Sequence, residues 1–226
     1  MDGRMLEAES LNSEPYARQR AEMVSSQLRR RDIHDERVLD AMLRIPRHQF
    51  VPEESCAQAY EDHPVPIPEN QTISQPFIIA VSLQALTLKG QESVLEVGTG
   101  SGYQTALLAL LARRVYSVER YPKLAQRAET VLRELDLQNV EIVVGDGSHG
   151  LIDSAPFDAI VVSAAAPSLP RSLVEQLADP GRMVIPVGPP EAQELQLVRK
   201  QEGKLLVQVL EGCRFVPLVG SEGYRG

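Results

Sequence analysis

The chain has 226 residues, 43% hydrophobic and 24% charged, which suits one α/β domain with a sizeable core and a helical extension. A net charge of -8 with no basic stripe argues against nucleic acid as the main partner, and neither a run of the ~18 apolar residues a membrane span needs nor a secretory leader is read in the sequence. Two cysteines far apart, Cys56 and Cys213, and the scattered His34, His48, His63 and His149 show no metal-ligand spacing, so we expect reduced thiols, no metal and a cytoplasmic protein.

Residues 1–13 are polar and acidic without a period and predict a frayed tail. Residues 14–31 predict a helix, with Ala17, Ala21, Val24 and Leu28 at three- and four-residue steps. Arg29, Arg30 and Arg31 fall late in it, where cations suit the helix dipole. Asp35 predicts the N-cap of a second helix that turns Val38, Leu39, Met42 and Leu43 inward and stops before Pro46. Residues 47–52 read as a loop with an apolar anchor, and the prolines at 64, 66 and 68 demand extended loop. Ser74 fits a helix N-cap, with Pro76 in the first turn of an apolar helix over 77–88 that ends at Gly90. Local sequence leaves open whether Ser74 is that cap or a ligand-facing group.

The stretch that organises the chain follows. Val94, Leu95 and Val97 predict a short buried strand, Gly98, Gly100 and Gly102 a turn, and residues 104–114 a helix. Glycines let the backbone take positive φ and let a ligand approach it closely. The spacing is G-x-G-x-G, with the third glycine one residue earlier than in the dinucleotide fingerprint. The next strand, 114–119, ends in Glu119, near the ~20-residue offset at which an acid grips a ribose. Glu119 pairing with Arg120, or capping the next helix, is the alternative. Residues 121–136 predict an amphipathic helix and 140–144 a strand closed by Gly145-Asp146-Gly147. Residues 157–162 predict another strand, closed by Ser163 to Ala166, and 169–177 a helix. A fifth strand, 182–187, follows a Pro180-Gly181 turn. Two β runs, 194–199 and 205–210, close the chain as a hairpin near Gly203, the second continuing through 215–218.

Strands alternating with helices imply an α/β, doubly wound, mostly parallel sheet with helices on both faces, an antiparallel C-terminal strand pair and an N-terminal helical cap. Ligands in such sheets sit outside the carboxyl ends of the strands. That gathers Gly98 to Gly102, Glu119, Asp146-Gly147 and Ser163 to Ala166 on one rim. Asp146 either meets a base edge there or simply forms the turn before Gly147. Two carboxylates and few cations suit a neutral or cationic nucleoside cofactor better than a pyrophosphate.

The run Leu95-Glu96-Val97-Gly98-Thr99-Gly100-Ser101-Gly102, then Val118-Glu119-Arg120, then Gly145-Asp146-Gly147, resembles the S-adenosylmethionine site of class I methyltransferases. Met23 to Leu28, Arg37 to Met42, Pro46-Arg47-His48-Gln49-Phe50-Val51-Pro52, Gln71-Thr72-Ile73-Ser74-Gln75-Pro76, the segment 155–162, Ala164-Ala165-Ala166-Pro167 and Arg214-Phe215-Val216-Pro217-Leu218 resemble one family of that group, protein-L-isoaspartate (D-aspartate) O-methyltransferase. The resemblance spans about residues 15–224, and the Thr-Ile-Ser-Gln-Pro segment discriminates it from other methyltransferases.

The resemblance implies a Rossmann-like methyltransferase fold. It implies methyl transfer from S-adenosylmethionine, released as S-adenosylhomocysteine, to the α-carboxylate of L-isoaspartyl, and less well D-aspartyl, residues in damaged proteins. It places the active-site serine at Ser74. The cofactor set falls on Gln71, Thr72, Gly98, Thr99, Gly100, Glu119, Arg120, Asp146 and Gly147, with no metal. Expected partners are exposed isoaspartyl sites, without nucleic acid or membrane, and the expected state is a monomer. Residues 14–226 form the expected methyltransferase domain: cap and substrate loop to 90, cofactor-binding core over 91–190, and β extension over 191–226. Pro68-Glu69-Asn70 departs from the glycines many relatives carry there, which leaves the path of that loop open.

Overall fold

The computed structural model describes residues 16–225, so the expected tail at 1–13 lies outside the described residues. The first helix, α1 (Ala17–Glu22), continues through a π turn (Met23–Leu28) and a 3-10 turn (Arg29–Arg31). Ala17, Val24 and Leu28 are buried as expected, but Ala21 faces solvent because the stem of Arg20 takes the inward position beside it. In α2 (Glu36–Arg44) the Asp35 carboxylate accepts the Arg37 N–H, the expected cap. Leu43 does not join Val38, Leu39 and Met42 inside. Ala41 fills that face and Leu43 is 36% exposed, since one helix face spans only about 100°.

Two 3-10 turns (Arg47–Phe50 and Glu53–Gln58) lead to a segment that departs from the sequence reading. The proline-rich stretch forms a hairpin, β1 (Val65–Ile67) against β2 (Gln71–Ile73). A two-stranded ribbon asks for cross-strand N–H donors only at alternate residues, which is how it accommodates Pro66. Glu69 and Asn70 both take positive φ, 61° and 55°, as a tight hairpin turn requires. This settles the path of the Pro68-Glu69-Asn70 segment. Helix α3 (Pro76–Leu86) follows, ended by Thr87 in the left-handed region.

The core alternates as expected: β3 (Ser93–Val97), α4 (Tyr103–Leu111), β4 (Arg114–Glu119), α5 (Pro122–Glu134), β5 (Val140–Val144), β6 (Phe157–Val162) and α6 (Arg171–Gln176). Then come β7 (Leu177–Val187), β8 (Gln193–Gln201) and β9 (Lys204–Cys213). One seven-stranded sheet has the order β5-β4-β3-β6-β7-β8-β9, parallel from β5 to β7 and antiparallel for β8 and β9. The fifth parallel strand starts five residues before its expected position. Leu177 already pairs with Phe157, and 178–181 bulge out before Arg182 rejoins opposite Ala159. Residues 215–218 do not extend β9; Pro217 instead bridges to Ala165.

Alternate strand residues feed two cores, one on each sheet face. Val94, Val115, Ala159 and Val161 pack under the N-terminal cap, α3, α4 and α5. Leu95, Phe157, Ile160 and Val162 pack with Leu173 of α6 and with Leu218. Among the described residues no helix is long and apolar enough to cross a membrane.

Candidate active site

The winding of the sheet reverses between β3 and β6. Chains leaving these neighbouring strands diverge and open a crevice at their carboxyl ends. Gly98 follows β3 and Ser163 follows β6; the Ser163 N–H donates to Val97 O at 2.8 Å, which sets the two turns side by side. A cavity opens here, lined by the glycine turn, Glu119, Arg120, Gly147 and the C-terminal segment 216–219.

The glycines divide the work. Gly98, Gly100 and Gly102 all take positive φ, at 92°, 54° and 88°. Gly102 is needed for packing, because a Cβ there would sit 2.8 Å from the Ala128 Cβ of α5. Gly98 and Gly100 line the cavity. Glu119 is 4% exposed, and its carboxylate accepts the Gly100 N–H at 2.7 Å and the Tyr121 N–H at 2.8 Å. It thus braces the glycine turn and the start of α5 together, and a carboxylate with about four acceptor sites keeps capacity for ribose hydroxyls. Arg120 lines the cavity but donates to Val219 O at 3.0 Å. No cationic clamp of the kind a pyrophosphate needs is formed by the described lining residues.

Asp146 is placed differently from its neighbour. Gly147 lines the cavity, where a Cβ would meet Val97 Cγ1 at 2.6 Å. The Asp146 carboxylate instead accepts from Ser148 N and Oγ at 2.9 and 2.7 Å, and from Ser221 N and Oγ at 2.9 and 3.2 Å. Burial opposes its charge, but these donors outweigh it and hold the carboxyl below its usual range. It caps the turn before Gly150 and ties down the C-terminal segment. Thr99 also turns inward, its hydroxyl 2.6 Å from Ser117 Oγ. Gln71 and Thr72 line the cavity from the β2 side, with the Gln71 amide donating to Glu69 O at 3.0 Å.

Ser74 is not the N-cap of α3. Gln75 takes that position without a side-chain bond, and Asp62 serves the helix start from across the hairpin. Asp62 accepts the Phe77 N–H at 3.4 Å and the Gln75 amide at 2.8 Å, while Arg31 donates to it at 2.5 Å. The Ser74 hydroxyl is therefore released from capping and makes no hydrogen bond among the described residues. A second cavity of about 370 Å³ adjoins the first. Four residues, Thr72, Ser74, Ser163 and Val216, line both. Cys213 lines the second cavity, where burial pushes its thiol up to about 11, so it stays protonated and unreactive.

Two buried ionic groups hold this arrangement from behind, and neither was singled out from sequence. Arg47 is fully buried and donates to Ala59 O at 2.6 Å and Ser74 O at 2.8 Å, with its guanidinium 4.9 Å from the Tyr103 ring centroid. Glu96 is fully buried beneath the glycine turn. It accepts from Thr105 at 2.5 Å, Ser117 at 2.7 Å and Gln104 at 3.1 Å. Burial pushes it up to about 7 against those three donors. An acid inside an otherwise apolar strand was the available signal for Glu96; the loop reading of residues 47–52 concealed Arg47. His48 lies 2.9 Å from the Tyr60 hydroxyl. Among the described residues no cluster of histidine, cysteine and acidic side chains is placed to hold a metal.

Known proteins share this arrangement of strands and turns. The profile of the family described as protein-L-isoaspartate (D-aspartate) O-methyltransferase matches residues 18–223. A protein-L-isoaspartate O-methyltransferase of Koribacter versatilis is 54% identical over 209 residues, covering 92% of this chain and 94% of that protein. Its namesake from Methanoculleus marisnigri is 51% identical over 216 residues, covering 96% and 98%. A solved protein-L-isoaspartate O-methyltransferase superposes with a TM-score of 0.80 at 28% identity, over 90% of this chain and 67% of that one. A Plasmodium falciparum chain described by the same activity, solved in complex with S-adenosyl-L-homocysteine, gives a TM-score of 0.76 at 29% identity, over 87% and 96%. With the fold and nearly the whole length in common, the chain belongs to the protein-L-isoaspartate (D-aspartate) O-methyltransferase family.

Proposed function

We propose that the junction of the two cavities is where a methyl group passes from cofactor to acceptor, with Ser74 orienting the acceptor. The chain is an S-adenosylmethionine-dependent carboxyl methyltransferase acting on the α-carboxylate of L-isoaspartyl residues, and less well on D-aspartyl ones. S-adenosylmethionine supplies an electrophilic methyl group on a positively charged sulfonium. The residues suit it: Glu119 for the ribose, and Gly98, Gly100 and Gly147 for close backbone approach. Thr99, Arg120, Gln71 and Thr72 complete the proposed set. Asp146 acts there by fixing the Gly147 turn and the C-terminal segment.

No strong base is needed, because a carboxylate with a reference pKa near ~4 is already ionised at neutral pH. The chain must hold one carboxylate oxygen in line with the methyl carbon and exclude water. Positioning of this kind supplies about 7–11 kcal/mol, and charge is neutralised as the O–C bond forms and the C–S bond breaks, which a dry site favours. Ser74 donates a hydrogen bond to the carboxylate and is not a nucleophile. The neighbouring backbone nitrogen then attacks the ester carbonyl, its proton leaving with the methoxy group as methanol. The succinimide so formed reopens in water partly as normal aspartate. The acidic surface supports protein acceptors without nucleic acid, and we read the chain as a cytoplasmic monomer.

The observation that carries this reading is the Ser74 hydroxyl, released from helix capping and standing where both cavities meet. Labelled S-adenosylmethionine is offered with two peptides differing only in an isoaspartyl or aspartyl linkage. Base-labile label is expected on the isoaspartyl peptide alone. Ser74→Ala is expected to lower turnover ~10–100-fold, the loss of a hydrogen bond to a charge, with S-adenosylhomocysteine affinity within about threefold. Equal loss of turnover and affinity would contradict the assigned role of Ser74.

A further inference from the structure

Ser163 also lines both cavities, and nothing above gives its side chain a task. Its N–H is committed to Val97 O. Its hydroxyl oxygen receives a hydrogen bond from Gln104 Nε2 at 2.8 Å, and the same amide nitrogen donates to Glu96 Oε1 at 3.1 Å. The amide orientation is set from behind. With Glu96 ionised, reversing it would bring the Gln104 carbonyl oxygen against the Glu96 carboxylate, whose Oε2 already accepts from Thr105 and Ser117. A serine hydroxyl has one proton and two acceptor sites. With an acceptor site filled by Gln104, the Ser163 proton has no protein acceptor among the described residues and is left to the junction.

We propose that Ser163 is a second carboxylate-binding hydroxyl, donating to the acceptor α-carboxylate alongside Ser74, with Gln104 and Glu96 as positioning residues that keep it in the donor state. This rests on the acceptor assigned above. A single donor leaves the carboxylate free to swing about its C–C bond, so the attacking oxygen wanders from the line of transfer. Two donors, one from the loop before α3 and one from the turn after β6, fix the carboxylate plane. The restriction is of the kind that effective-molarity arguments reward. The chemistry recognised is a carboxylate. The cofactor's own methionyl carboxylate is the competing source, and the test separates the two.

Ser163→Ala, Ser163→Thr, Gln104→Leu and the double variant Ser163→Ala/Gln104→Leu are assayed with the isoaspartyl peptide, and S-adenosylhomocysteine affinity is measured by calorimetry. Ser163→Ala is expected to lose ~10–100-fold in kcat/KM, the range for a hydrogen bond to a charged group, with affinity for S-adenosylhomocysteine within about threefold. Ser163→Thr keeps the hydroxyl and is expected to restore most of the rate. Once Ser163 is gone, removing Gln104 is expected to cost little more, the non-additivity of residues acting as one unit. Unchanged kcat/KM in Ser163→Ala overturns the proposal. So does a matching fall in S-adenosylhomocysteine affinity, which would give the hydroxyl to the cofactor, and so does full additivity of the two losses. A wild-type enzyme that leaves the isoaspartyl peptide unmethylated would remove the acceptor assignment and this role together, a result distinct from any loss confined to the variants.

Discussion

The loop that carries Ser74 and the glycine turn each rest on one fully buried ionic side chain, and the two are stabilised in opposite ways. Arg47, under the loop, reaches backbone carbonyls at Ala59 and Ser74 and an aromatic face at Tyr103, with its Nη1 unpartnered among the described residues. Glu96, under the turn, is wrapped by three side-chain donors. Burial lowers the guanidinium to about 10, so it stays charged at any pH near neutrality. Burial raises the carboxyl to about 7, so it changes charge within the working range. The loop therefore has a support indifferent to pH, whereas the turn has one that titrates. That asymmetry follows from side-chain chemistry alone: an arginine cannot shed its proton in a protein, and a desolvated carboxylate readily takes one up.

Removing the arginine breaks the comparison most severely. Arg47→Ala takes this donor from a buried carbonyl at Ala59 and a part-buried one at Ser74, at up to about 1–3 kcal/mol each, and opens a cavity. The expected loss is a melting temperature lower by roughly 10 °C, at about 2–4 °C per kcal/mol for a chain of this size. Arg47→Lys keeps the charge but lacks the fork that reaches Ala59 O and Ser74 O together, so about half that loss is expected. In the lysine variant turnover should fall well before S-adenosylhomocysteine affinity, because Arg47 touches the Ser74 backbone and not the cofactor rim. Calorimetric affinity falling in step with kcat would mean that the two supports are not separate.

Glu96→Gln sharpens the contrast. The folded pKa of Glu96 is raised above its ordinary value, so its contribution to stability is fully present below about pH 4.5 and is lost as pH rises through about 7. The variant has no proton to lose. Relative to it, the wild type should lose stability between pH 5 and pH 8, by no more than ~3 kcal/mol at 1.36 kcal/mol per unit. Scanning calorimetry of both proteins across that window checks this, and parallel curves would refute it. Arg47 variants keep Glu96 and should therefore run parallel to the wild type across the same window.

The same contrast explains what could be read in advance. The strand, glycine turn, helix and acid of 93–119 were legible because each rests on local rules: apolar runs, positive φ at glycine, and a fixed offset to Glu119. The hairpin at 65–73 was hidden because prolines normally argue against strands, and a two-stranded ribbon escapes that rule. The cap of α3 was misplaced because its acceptor, Asp62, lies fifteen residues upstream of Phe77 and arrives only through the tertiary fold. The loop reading of residues 47–52 concealed Arg47 for a similar reason: its partners, Ala59 and Ser74, are distant in sequence. The geometry of the rim was therefore legible at the glycine turn and Glu119, where local rules set it, while the place of Ser74 rests on resemblance. Of the supports behind them, Glu96 left a signal, an acid inside an apolar strand, and Arg47 left none.

The smallest expected effect concerns the hairpin turn, where backbone conformation outweighs charge. Glu69 sits at φ 61° in the hairpin turn, and its carboxylate lies 3.8 Å from an exposed Lys123 ammonium. A residue with a Cβ in the left-handed region costs about 1–2 kcal/mol, and Asn70 beside it tolerates that region better because its side chain bonds locally. Glu69→Gly removes that strain but adds roughly 0.5–1 kcal/mol of chain entropy to the unfolded state and gives up an exposed pair worth little. The net gain is about 0.5–1 kcal/mol, or a melting temperature higher by ~1–3 °C. Turnover should hold, because Arg47 and Asp62 fix the loop beyond the hairpin without help from its turn. A melting temperature that falls would show that the Lys123 pair outweighs the strain. A higher melting temperature with reduced turnover would show that the strained turn is itself part of how the loop admits its substrate.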